Sequence, residues 1–202
     1  MTTWVSAVLF PLFGYLCGSL TFSIWLTRLF KGVDVRDSGS GHATTTNTIR
    51  QAGFAAGVLV LVLDVAKGFL PTWLALHNAQ SDTRVWIASL TLACTIAGHC
   101  WPFLAQFRGG MGLATGAGGL LAASPLAFLF AAGLLIFLTL ALHHGARASL
   151  LTAILLAPLF WLVGLRGPEF AMAIAGGIVL IVRWRTSWNR KYRELWLDRS
   201  QP

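Results

Sequence analysis

The chain has 202 residues, 56% of them apolar and only 11% charged, with a net charge of +8. Counting its 21 glycines, the apolar share reaches roughly two thirds, against about 45–50% by the same count in a soluble domain, where about 25% is charged. So few charges cannot cover so much apolar surface in water, and the same composition excludes a disordered chain. Three cysteines exclude a disulfide scaffold.

The first apolar run, Trp4–Leu26, is long enough to cross about 30 Å of hydrocarbon at ~1.5 Å per helical residue. Residues 1–27 carry no charge, which argues against a signal peptide with its basic start. A polar loop runs from Lys31 to Gln51. Phe54–Leu76 is the second span, interrupted by Asp64 and Lys67, and His77–Arg84 is a short polar break. Val85–Leu104 is the third span, followed by the loop Gln106–Gly112. Leu113–Leu142 holds thirty uncharged residues with Ser124-Pro125 near the middle, a pair that favours a turn. Leu150–Leu165 and Phe170–Val182 complete the apolar runs, separated by Arg166-Gly167-Pro168-Glu169.

Charge decides how the thirty-residue run is read. If it is two short crossings, twelve basic residues share one side and only Arg84 and Arg166 lie opposite. If it is one crossing, the basic tail sits opposite the basic first loop. Basic loops stay cytoplasmic, so the expected fold is an all-α membrane protein with seven transmembrane helices, N-terminus outside and C-terminus cytoplasmic. Backbone groups in lipid must bond within their own segment, which favours helices. The chain is expected to be one integral-membrane domain, with residues 1–182 a transmembrane bundle and residues 183–202 an interfacial tail. In Arg183–Arg199, Trp184, Trp188, Tyr192, Leu195 and Trp196 recur at helical spacing with basic residues off that stripe. This pattern predicts an amphipathic helix on anionic lipid. The basic excess therefore reads as topology and lipid contact, not nucleic-acid binding.

Three features exceed what a structural bundle needs. In the first loop, Gly39 and Gly41 flank Ser40, and Thr44, Thr45, Thr46 and Asn47 follow between Arg36 and Arg50. Glycine turns present backbone N–H groups to one point, and guanidinium groups grip oxyanions in bidentate fashion. That set suits a phosphate, although a flexible loop with a capping threonine fits the same residues. The second feature is Arg108-Gly109-Gly110-Met111-Gly112 ahead of a helix start, where unpaired N–H groups attract anions. A tight helix–helix turn is the alternative. The third is Asp64 and Lys67, three residues apart within a span and able to neutralise each other. No second acidic residue lies in any other span, which disfavours a proton-coupled transporter. His99 and His42 are candidate acid–base groups, and His143 and His144 sit at a helix end. Cys17, Cys94 and Cys100 read as packing residues. No His, Asp, Glu and Cys set has metal spacing, so no metal or cofactor is expected.

These motifs resemble the bacterial acyl-phosphate:glycerol-3-phosphate acyltransferases, the PlsY-type family. Gly18-Ser19, Gly32-Val-Asp34-Val-Arg36, Gly39-Ser-Gly41, Thr46-Asn47, Arg50 and Gly53 match its first motif in order. Asp64-Val-Ala-Lys67-Gly68 and Pro71 match its second span. Gly98-His99, Pro102, Phe107, Gly109-Gly110, Gly112 and Ala114-Thr115 match its second motif, and Arg147 and Ser149 resemble its Arg/Ser stretch. The resemblance implies a multi-pass protein of the bacterial plasma membrane. Its reaction would transfer a fatty acyl group from acyl phosphate to glycerol 3-phosphate, with membrane lipids as surroundings. Ser40, Arg50 and His99, at matched motif positions, and His42, a nearby base outside the family pattern, are the catalytic candidates. Arg36, Gly39, Gly41, Thr46, Asn47, Gly109, Gly110, Gly112 and Ser149, at matched positions, together with Arg108 from the glycine loop itself, are the binding candidates.

The chain departs from the family pattern at several positions. His42 replaces an asparagine, Met111 a lysine, Trp184 a histidine and Ser187 an asparagine. Losing a phosphate-binding cation worth about 3–4 kcal/mol would slow the reaction roughly 100- to 1000-fold. Arg108 or His42 are the candidate replacements. The departures motivate a second reading, a non-catalytic family member that binds lipid or serves as a subunit of a membrane-protein complex.

Overall fold

The computed structural model describes residues 3–189, and the regular secondary structure of the described part is all helical. Chain order runs α1 (Thr3–Gly18), α2 (Phe22–Lys31), α3 (Thr45–Ala52), α4 (Phe54–Asn78), α5 (Arg84–Cys100), α6 (Leu113–Ala123), α7 (Pro125–Leu142), α8 (Gly145–Leu162) and α9 (Pro168–Trp184). Single 3₁₀ turns lie at Val35–Asp37, Phe103–Ala105 and Arg185–Ser187. Among the described residues, six helical stretches are long and apolar enough to cross a membrane, and α6 is a shorter apolar helix.

The expected first span is broken. α1 ends at Gly18 and α2 begins at Phe22, with Ser19, Leu20 and Thr21 between them. The break frees carbonyls that a continuous helix would use, and Lys67 Nζ donates to one of them, Leu20 O, at 2.8 Å. The thirty-residue run divides where its turn signal stands. α6 stops at Ala123, and the Ser124 hydroxyl caps α7 by accepting from Ala127 N–H. The first loop is less open than its composition suggests. Thr44 caps the eight-residue α3 by accepting from Asn47 N–H, and α3 leads directly into α4 through Gly53.

Close helix packing uses small residues. A Cβ on Gly18 would meet the Thr95 carbonyl, and one on Gly98 would meet the Tyr15 carbonyl, so α1 and α5 touch backbone to backbone. α4 and α6 do the same through Gly68 against Thr115 and Gly118 against Val65. Lipid gives no hydrophobic drive between helices, so such close approaches supply the van der Waals gain. Between the helices, Leu92, Ile96, Leu156, Phe160 and Met172 form the centre of the core. α7 lies at the rim, with only Ala127, Ala131 and Leu138 buried and Leu129, Ile136 and Phe137 exposed on its outer face.

The tail differs from its expected amphipathic start. α9 continues through Trp184, whose side chain is buried with Met111, Ala146 and Leu150 instead of facing headgroups. Trp188 is exposed. The rest of the expected tail helix, from residue 190 on, lies outside the described residues.

Candidate active site

The first loop is built from the inside outward by two side chains. Arg36 Nε and Nη2 meet the two Asp34 oxygens at 2.9 and 2.7 Å, and Arg28 adds a contact to Asp34 at 2.6 Å. The remaining Arg36 nitrogen donates to the carbonyls of Ala105 and Arg108 at 2.9 and 3.2 Å. Arg36 thus ties the first loop to the second. Its hydrogen bonds hold the Asp34 carboxyl well below the usual carboxylate range. Asn47 is fully buried, and its amide nitrogen serves the carbonyls of Val35, Ser38 and His42 while its oxygen accepts from Ser40 N–H. Gly39 and Gly41 adopt φ of 62° and 67°, and a Cβ on Gly39 would strike the Asn47 side chain. Arg36, Asn47, Gly39 and Gly41 therefore shape the loop, and none of them lines the cavity below it.

The second loop is pinned on both faces. Gly109 and Gly110 N–H donate to the carbonyls of Cys100 and His99 at 3.3 and 3.0 Å. Ala43 N–H donates to Gly109 O at 3.4 Å, which couples the two loops directly. The amides of Gly109 and Gly110, expected to bind substrate, are consumed in this way. Gly110 also has no room for a Cβ, which would collide with the His99 ring. Arg108 is exposed and does not face the cavity, so it does not replace the missing lysine. Gly112, at φ 85°, starts α6, and its neighbours Leu113 and Ala114 line the cavity with it. The first N–H groups of α6 therefore stand at the cavity wall.

Arg183, which the sequence places in the tail, reaches both loops from the end of α9. Its Nε donates to Gly110 O at 2.9 Å and its Nη2 to Gly109 O at 3.3 Å, and Nη2 lies 3.5 Å from His42 Nδ1. Its guanidinium stands over the Trp101 ring at 5.8 Å. One side chain at the end of α9 thus joins both loops. Its signal in the sequence is slight, a single arginine just before Trp184, where the resemblance expects a histidine.

The Asp64–Lys67 pair forms as expected, with Lys67 Nζ 2.8 Å from Asp64 Oδ1. A third member is added from α5, since His99 Nδ1 lies 3.7 Å from the same oxygen. Lys67 is turned away toward Leu20 and the Phe22 ring, whereas Asp64 and His99 line the cavity. His144 caps α8 through its ring nitrogen, which accepts from Arg147 N–H at 3.4 Å.

All these elements surround one cavity of about 580 Å³. Ser40, His42, Thr44, Thr45, Thr46, Arg50, His99, Gly112 and Ser149 line its polar end. The Ser149 hydroxyl itself donates to Gly145 O at 2.9 Å. Met111 and Trp184 form an apolar shoulder beside them, with the indole N–H donating to Met111 O at 3.0 Å. From there the cavity continues between α4, α5, α6, α7, α8 and α9 along mostly apolar side chains, with the Thr152 hydroxyl donating to Ala148 O at 2.8 Å.

The geometry defines a class: a multi-pass helical membrane protein whose large cavity gathers polar groups at one end and is mostly apolar along the rest. Within that class, the chain belongs to the glycerol-3-phosphate acyltransferase family, whose sequence profile matches residues 8–194. It is 37% identical over 187 residues to the glycerol-3-phosphate acyltransferase of Aquifex aeolicus (strain VF5), covering 92% of this chain and 95% of that one. The Listeria monocytogenes serotype 4a (strain HCC23) protein of the same name is also 37% identical, with 92% and 91% covered. The fold is similar to the crystal structure of PlsY (YgiH), an integral membrane glycerol 3-phosphate acyltransferase, in its glycerol 3-phosphate form. That match has a TM-score of 0.79 and 34% identity, over 92% of this chain and 91% of the other.

Proposed function

We propose that this chain is a membrane acyltransferase that moves a fatty acyl group from acyl phosphate to the 1-hydroxyl of glycerol 3-phosphate. The observation that carries this reading is the cavity, which joins Ser40, His42 and Arg50 to an apolar chamber in one continuous space. An acyl phosphate has that same division, an anionic head on a hydrocarbon tail. The names of the relatives support the acceptor and the reaction type. Candidate catalytic groups sharing one wall favour a working enzyme over a non-catalytic lipid-binding subunit.

In this reading Arg50 and the hydroxyls of Ser40 and Thr46 hold the donor phosphate, with the α6 N-terminus adding backbone donors. The acceptor hydroxyl oxygen attacks the acyl carbonyl carbon, the bond from that carbon to the phosphate oxygen breaks, and phosphate departs. The hydroxyl proton ends on the departing phosphate, directly or through His99 or His42. The donor is already activated, so no covalent acyl-enzyme is needed. The products are lysophosphatidic acid and phosphate.

The twelve-to-two split of basic residues and the helix break at Ser124 support a seven-crossing arrangement with the N-terminus outside. In that arrangement both loops of the site face the cytoplasm. The test of function is to supply purified, lipid-reconstituted protein with acyl phosphate and glycerol 3-phosphate. Equal amounts of lysophosphatidic acid and phosphate are expected. No product above background, with the Aquifex aeolicus relative active alongside, would overturn the reading.

A further inference from the structure

The apolar part of the cavity is deeper than the chemistry at its mouth requires. Along α9 the lining runs from Trp184 to Met172, and twelve residues rise about 18 Å. Along α8 it runs from Gly145 to Leu156, and eleven residues rise about 16 Å. α7 repeats the second interval between Thr139 and Phe128. Three helices thus agree on one depth. Beyond it, Ala127 and Phe160 are fully buried and do not line the cavity, so packed core closes the far end.

Bonds of ~1.5 Å in staggered trans geometry advance an alkyl chain by about 1.25 Å per carbon. A depth of about 17 Å then takes roughly fourteen carbons in extended form. That depth is close to one leaflet of a ~30 Å hydrocarbon core. We infer that the chamber measures the acyl chain, with Phe128 and Met172 as its floor. Chains up to that length lie straight in the chamber, whereas longer ones must bend or leave it. Ala131 and Ala173, within one turn of the floor residues, keep the lower chamber open. This inference rests on the acyltransferase reading, because the measured object is its acyl donor.

The test uses a ladder of saturated acyl phosphates from octanoyl to stearoyl, with relative kcat/KM read at each rung. Phe128→Ala with Met172→Ala opens the floor and moves the optimum toward longer chains by roughly two to four carbons, the length of the deleted side chains. Ala173→Phe raises the floor, and at least a tenfold relative loss is expected on the longest rungs with the shortest retained. Thermal stabilisation by a matching ladder of lysophosphatidic acids gives a second readout that needs no turnover. An unchanged length profile in both variants, by rate and by stabilisation, overturns the ruler. No turnover at any length, with stabilisation still dependent on length and on the floor residues, overturns the acyltransferase reading and leaves the ruler standing.

Discussion

On one side of the cavity mouth, Ser40 and His42 on the first loop and Thr46 and Arg50 on α3 keep polar groups at the wall, with the loop's shape set by Asn47 and Arg36 behind it. On the other side, Met111 and Trp184 pack against Ala146 and Leu150, and the indole N–H is answered by Met111 O. The resemblance places a lysine and a histidine at those two positions. Their replacements touch each other, so the second side has become a small self-satisfied apolar unit. Charge at this mouth is therefore carried unequally. Arg50 is on the wall, and Arg183 acts from behind the glycine turn. A mouth can lose one polar wall without a buried orphan if both members of the wall change together.

Breaking the polar side has the largest expected effect. Arg50→Ala removes the guanidinium from the wall, and kcat/KM is expected to fall about 1000-fold, roughly 4 kcal/mol. Steady-state kinetics on folded protein check this, and a loss under tenfold would shift the phosphate contact elsewhere. Forcing a cation into the apolar side comes next. Met111→Lys alone buries an ammonium among Ala146, Leu150 and Trp184, at a cost of about 3 kcal/mol in stability. Pairing it with Trp184→His relieves part of that loss, which thermal unfolding of the single and double variants would read as non-additivity.

Arg183→Ala tests the link between the two sides. It strips charge-assisted bonds from two loop carbonyls, and a loss of about 1–2 kcal/mol, roughly tenfold in kcat/KM, is expected with Lys restoring part. The smallest effect is in pH. Asp34 is held as a carboxylate by Arg36, so its stabilisation is complete above the unfolded value of about 4 and is lost only as pH falls below it. Thermal unfolding should show no pH dependence from this ion pair between pH 5 and 7, where its contribution is constant. Asp34→Asn should lower the neutral plateau and flatten the acid limb.

The sequence carried the parts of this molecule that depend on near neighbours. Asp64 and Lys67 lie one helical turn apart, so their pairing follows from spacing, and Ser124-Pro125 marks a helix break by local chemistry alone. The roles of Asn47 and Arg36 were hidden because their partners are backbone carbonyls, which no residue type announces. Asn47 serves Val35, Ser38 and His42, while Arg36 reaches Ala105 and Arg108 about seventy residues away. Read as a motif, both looked like ligands. Arg183 and Trp184 were hidden for the converse reason. They ended an apolar run beside further tryptophans, which fits an interfacial stripe, and only the packing of α9 against the glycine turn turns them inward. The helix α3 was missed because its eight residues are almost all polar and lack an apolar period.

α6 has eleven residues and rises about 16 Å, half of a ~30 Å hydrocarbon layer. In the seven-crossing arrangement its far end at Ser124 falls short of the opposite interface. A chain reversal at that depth needs either surrounding helices or a dimple in the bilayer to cover it. The Ser124 hydroxyl already answers one α7 amide there. In that arrangement any remaining mismatch would pull the nearer headgroups toward the turn. The lipids beside α6 and α7 would then form a thinned patch, and swapping the host bilayer for a thicker one would load its strain onto this one reversal.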